Sequence, residues 1–113
     1  MGRKKITTLA HCHISYMPAN WMKKAMALRG EGTYMIATLL WLVYSWHWEK
    51  PESERRKVRL SDSVVEWAGL NPKTRNRALH LLHEAGLVRY EESGVGKPPV
   101  CELIYIKITK GSV

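Results

Sequence analysis

The chain has little of what most enzymes and secreted scaffolds depend on. Its 113 residues hold two cysteines, Cys12 and Cys101, and a single aspartate, Asp62. Two cysteines exclude a disulfide scaffold. One bridge between them can be drawn, but a reducing compartment is the simpler expectation. Asp62 is better placed to serve a helix start, and the glutamates cluster in loop-like stretches, so no paired-carboxylate site forms. A phosphate-binding Gly-Lys-Ser/Thr loop and a Gly-x-Ser-x-Gly elbow are both missing. No enzymatic activity and no cofactor are therefore expected. No apolar leader follows Met1, because Arg3, Lys4, Lys5, Thr7 and Thr8 occupy that region. The longest apolar stretch, 34–48, includes Thr38, Ser45 and His47 and is too short for an ordinary membrane span. A cytoplasmic protein with no membrane partner is the expectation. The length excludes a two-domain dinucleotide enzyme and a full α/β barrel, and suits one domain with its own core.

What is abundant is positive charge. Eighteen Lys and Arg face ten Asp and Glu, for a net charge of +8. Such an excess favours an anionic partner, whether nucleic acid, anionic lipid or an acidic protein surface, unless it serves solubility alone. Hydrophobic residues at 45% and charged residues at 25% sit near globular averages, so the chain should fold.

Along the chain, Arg3, Lys4 and Lys5 form a basic arm, and 6–14 reads as an edge strand or loop. A short helix is expected over 19–28, with Trp21, Ala25 and Leu28 at helical spacing and glycines 30 and 32 ending it. Thr33 is the expected N-cap of a long helix over 34–48. That helix is apolar on nearly every face, so it calls for cover by the N-terminal helix and by a second subunit. Residues 49–57 read as a solvated, charged loop, and 58–60 as a short strand. Ser61 is an N-cap candidate for a helix over 62–68, with Asp62 favouring the helix N-terminus. Gly69 stops that helix. Asn71 caps the next, over 72–85, with Pro72 in its first turn and Gly86 after its end. Strands over 87–91 and 100–108 flank a loop containing Gly94, Gly96 and Lys97.

This order of strand, helix, tight turn, helix, strand, loop and strand resembles the winged helix-turn-helix family. The resemblance is carried by Leu60-Ser61, by Trp67-Ala68-Gly69-Leu70-Asn71-Pro72-Lys73-Thr74, by Arg77-Ala78-Leu79, and by Leu82-His83-Glu84-Ala85-Gly86-Leu87-Val88. It covers about residues 33–108. It implies an α+β fold: a three-helix core with a small antiparallel sheet and wing. An N-terminal arm and short helix (1–32) would precede it and a tail (109–113) would follow. It also implies that 72–85 is a recognition helix lying in the DNA major groove.

The residues support that reading on their own. Ala78, Leu79, Leu82 and Ala85 form one apolar stripe, and Lys73, Asn76, Arg77, His80 and His83 lie opposite. Residues 71–83 hold three cations and no acid. Arg pairs bidentately with guanine and Asn with adenine, whereas Thr suits a phosphate oxygen. Lys73, Asn76, Arg77 and His80 are thus expected at base edges. Pro72 starts the helix, and Thr74, Arg75, Arg59 and Lys97 are expected along the backbone. Arg75 stands where the family usually has a small apolar residue, with its stem expected over the core and its guanidinium in water or on a phosphate. Leu81 stands where a polar residue is common, and suggests a widened core or a protein contact. Arg55, Arg56, Lys57 and Arg59 form a second basic cluster, for phosphates or for protecting a strand edge.

His11-Cys12-His13 lacks a second ligand pair at structural-zinc spacing, so no metal is expected. Trp21, Trp41, Trp46, Trp48 and Trp67 read as core or interface anchors rather than stacking platforms for single strands. The expected function is sequence-specific binding of double-stranded DNA by a homodimer, in transcriptional regulation. The alternatives are a replication-origin or recombination accessory protein, and a winged-helix interaction module without DNA binding.

Overall fold

The computed structural model describes residues 9–14, 16–91 and 99–105. Among them, five helices surround a three-stranded antiparallel sheet. In chain order these are α1 (Ala19–Met26), α2 (Thr33–Trp46), α3 (Glu52–Arg55), β1 (Lys57–Arg59), α4 (Asp62–Trp67), α5 (Pro72–Glu84), β2 (Val88–Glu91) and β3 (Val100–Leu103). The sheet order is β1-β3-β2, which places the last strand in the middle. Val58 pairs with Cys101, and Cys101 with Tyr90, along the inner face. Lys57, Glu102 and Arg89 form the matching row on the outer face, where Arg89 lies 3.7 Å from Glu102. This alternation is the period-2 pattern of a sheet with one buried face. The architecture is an α+β fold compatible with a winged helix.

Helix α2 runs through the centre and buries residues on almost every side, including Ile36, Leu40, Trp41 and Tyr44. The chain itself supplies the cover. Trp21 of α1 meets Trp41 edge-on at 5.3 Å between ring centroids, and its indole N–H donates to the Leu87 carbonyl at 3.0 Å. Tyr16 and Tyr105 close over Trp41 and Tyr44, and Leu9 joins the same core. The cover that α2 calls for thus comes largely from within the chain. On α2 only Tyr34 and Met35 stay exposed.

Several local expectations shift. Thr33 is not the N-cap. Gly32 occupies that position at φ 79°, a left-handed conformation open to glycine, while the Thr33 hydroxyl donates to the Arg29 carbonyl at 3.0 Å. Residues 49–57 are not all loop, because Pro51 begins the one-turn helix α3. That turn brings Arg55 over the Tyr44 ring at 4.3 Å and Arg56 over the Tyr105 ring at 4.7 Å. Both arginines are half-buried on aromatic faces, so the second basic cluster keeps only Lys57 and Arg59 exposed. The Tyr105 hydroxyl donates to Glu52 at 2.6 Å. Burial first, then its bonds to Glu52 and Tyr44, push its ionisation well above the ordinary tyrosine range. No disulfide joins Cys12 and Cys101. Trp21 and Trp41 are core anchors, Trp46 is half-buried, and Trp48 and Trp67 are exposed.

Candidate nucleic-acid interface

The site is built by two caps and a turn. The Ser61 hydroxyl accepts from the Val64 N–H at 3.3 Å and starts α4, whose Val64 and Val65 enter the core. Gly69, at φ 81°, reverses the chain, and the Leu70 N–H returns to the Val65 carbonyl at 3.0 Å. The Asn71 side chain then accepts from the Thr74 N–H at 2.9 Å, and Pro72 occupies the first turn of α5. Each cap was legible in the sequence, and together they aim α5.

Helix α5 divides cleanly around its axis. Arg75, Ala78, Leu79 and Leu82 are buried. Lys73, Asn76, Arg77, His80, His83 and Glu84 are exposed. At about 100° per residue these six fall within one arc of roughly 120°. Thr74 and Leu81 are half-buried on the flank between the two faces. There the α1–α2 turn closes on the helix. A Cβ placed on Gly32 would stand 2.7 Å from the Thr74 methyl, and one on Gly30 would stand 3.1 Å from Leu81 Cδ1. Leu81 thus lies against the α1–α2 turn. Arg77 Nη2 donates to the Glu31 carbonyl at 2.7 Å, which ties one of its five N–H donors to the same turn. On the other flank, His83 Nδ1 lies 3.2 Å from the Val88 carbonyl, and its ring meets Tyr90 edge-on at 5.2 Å.

One predicted site residue is overturned. Arg75 is 5% exposed, and its guanidinium is turned inward onto protein acceptors. Its Nη1 donates to Asp62 Oδ1 at 2.6 Å and to the Leu60 carbonyl at 3.0 Å, and its Nε donates to Asn76 Oδ1 at 3.1 Å. The Asp62 side chain remains 62% exposed, so this pair joins a buried cation to a surface carboxylate. Arg75 is a clamp between the β1–α4 junction and α5.

The remaining predicted residues fall as follows. Lys73, Asn76, Arg77 and His80 share the exposed arc, Pro72 is half-buried at its start, and Thr74 turns its methyl to Gly32. Arg59 is exposed on the edge strand β1 with Lys57. Lys97, with Gly94 and Gly96, lies outside the described residues. Glu84, one residue past the acid-free stretch, also joins the arc, with its carboxylate 3.4 Å from His80 Nε2. An exposed pair of this kind contributes little to stability. His11 and His13 are exposed, whereas the Cys12 thiol is half-buried 3.8 Å from the Leu42 carbonyl. No helix among the described residues is long and apolar enough to cross a membrane.

In comparisons with known proteins, no family model, no curated protein and no solved structure matches the chain.

Proposed function

We propose that the chain folds as a winged helix-turn-helix and binds double-stranded DNA sequence-specifically through α5, in transcriptional regulation. The carrying observation is the exposed arc Lys73, Asn76, Arg77 and His80 on a helix capped by Asn71 and held from both flanks. Lys73 and Arg77 supply positive charge, and Asn76 and Arg77 supply the hydrogen-bonding groups that distinguish base edges. Arg59 on the sheet edge and Lys97 in the wing would track the phosphate backbone. Of the two features that spoke for a protein-interaction module, the apolar α2 is largely buried and Leu81 is half-buried against the α1–α2 turn.

The test is selection of duplexes from a random pool, followed by affinity measurements against salt. The wild type should bind with a log–log salt slope of about −0.9 per phosphate contact. Arg77→Ala should cost about 1–3 kcal/mol and relax preference at one base pair. Absence of binding at low salt, or an Arg77→Ala variant with unchanged affinity and preference, would sink the reading.

A further inference from the structure

The chain ahead of α2 runs beside α5 along much of its length. The Trp21 indole donates to the Leu87 carbonyl, just beyond the end of α5, at 3.0 Å. A Cβ on Gly30 would stand 3.1 Å from Leu81, the Glu31 carbonyl accepts from Arg77 at 2.7 Å, and a Cβ on Gly32 would stand 2.7 Å from Thr74. As the chain advances from 21 to 32, its partners recede from 87 to 74. Residues 21–32 thus form a strip antiparallel to α5, on the flank that Arg77 borders. The strip carries three cations, Lys23, Lys24 and Arg29, and one acid, Glu31, and all four are exposed. Arg29 is the cation beside the closest part of the contact, next to Gly30. Its backbone carbonyl takes the Thr33 hydroxyl, and among the described residues no ion pair or hydrogen bond holds its guanidinium.

A helix with its side chains is about 10–12 Å across, and the major groove is about 12 Å wide. A recognition helix therefore fills the groove, and whatever lines its flank meets a wall of phosphates. On the DNA-binding reading of α5, on which this rests, the strip is what lines the Arg77 flank. We infer that Arg29 is a phosphate-binding residue, which anchors the DNA strand passing the Arg77 side of α5 from outside the helix-turn-helix segment. It supplies affinity and register without base preference. The Glu31 carboxylate, in the same turn, opposes it.

The experiment titrates the full chain with its selected duplex and with single-base-pair variants of that duplex, over a salt series. Arg29→Gln should weaken every duplex by one common factor of about three- to tenfold, lower the magnitude of the log–log salt slope by about 0.9, and leave the base preferences unchanged. Arg29→Lys keeps the charge and should keep the slope. Glu31→Gln keeps the carbonyl that holds Arg77, and should tighten binding by a factor that shrinks as salt rises. Lys50→Gln, beyond the far end of α2 from the strip, should change neither affinity nor slope. All four side chains are exposed or lie in turns away from the core, so thermal melts of the variants should match the wild type. An Arg29→Gln variant with an unchanged slope overturns the inference, as does an Arg29→Lys variant that loses as much as Arg29→Gln, or a Glu31→Gln variant that binds no tighter. A wild type that binds no duplex at low salt defeats the DNA reading and this assignment with it. A wild type that binds with base preference, while Arg29→Gln keeps the full slope, defeats this assignment alone.

Discussion

Replacing Trp21 by Phe tests whether the N-terminal segment is an appendage or part of the core. Phenylalanine keeps an aromatic ring against Trp41 but removes the indole N–H that donates to the Leu87 carbonyl at 3.0 Å. That carbonyl also accepts from the Ile104 N–H at 3.0 Å, so it is not orphaned. The cost is one buried hydrogen bond, about 1 kcal/mol, rather than a full desolvation penalty. The smaller ring leaves a void beside Trp41 and Ala25, adding about 1–2 kcal/mol. The sum of about 2–3 kcal/mol converts to a fall in Tm of roughly 8–12 °C for a chain of this length. Calorimetry and far-UV circular dichroism should show one cooperative transition moved as a whole, since Trp21 bridges α1 to both α2 and the entry to β2. A shift below about 2 °C, or a separate early transition with the main one unmoved, would refute the single-core account.

Gly32→Ala and Gly69→Ala form a matched pair, because both glycines sit near φ 80° but only Gly32 faces another side chain closely. Gly69→Ala should cost about 1 kcal/mol from backbone strain alone, and Gly32→Ala at least about 1 kcal/mol more, because the Thr74 methyl is stiffly held. Equal losses in urea melts would show that the turn does not press on α5. Cys101 lies fully buried in β3, and burial pushes its thiol up from an ordinary 9.0 to about 12, with nearby Arg75 pulling weakly the other way. The folded state therefore holds a proton that the unfolded state releases, so this contribution to stability is intact below pH 9 and is lost as pH rises toward 12. Cys101→Ala should flatten that alkaline limb, and a thiol reagent at pH 8 should leave Cys101 unmodified until the chain unfolds. An alkaline limb unchanged by the substitution would count against the thiol as its source.

The C-terminal half was legible because its punctuation is chemical. Ser61, Asn71, Pro72 and Gly69 each act on the backbone beside them, so neighbours in sequence suffice to read them. The face of α5 followed from its period. What stayed hidden depends on groups far apart in the chain. Arg75 looks like one more cation of a basic helix until Asp62 and the Leu60 carbonyl, 13 and 15 residues away, are seen to hold it. Arg55 and Arg56 looked solvated because nothing local announces Tyr44 and Tyr105 as their partners. Composition likewise asked for a second subunit over α2, although Leu9, Tyr16, Trp21 and Tyr105 close it from the two ends of the described chain. The charge of Asp62 suits the start of its own helix, and its reach toward α5 has no sequence signal.

The flanking contacts of α5 change what the basic arc can do. A recognition helix reads bases only if its side chains start from a fixed frame, and surface helices usually owe that frame to their buried face alone. Here the helix is also held at both borders of the exposed arc: by Glu31 and the glycine turn on the Arg77 side, and by Val88 and Tyr90 on the His83 side. Between these borders lie Asn76, His80, Lys73 and Glu84. Arg77 stands at the border with one donor committed to protein, which fixes its stem and limits its swing. Losing the Glu31 contact would loosen Arg77 more than it would weaken the fold. On the proposed reading, the α1–α2 turn would act on base discrimination through the aim of α5.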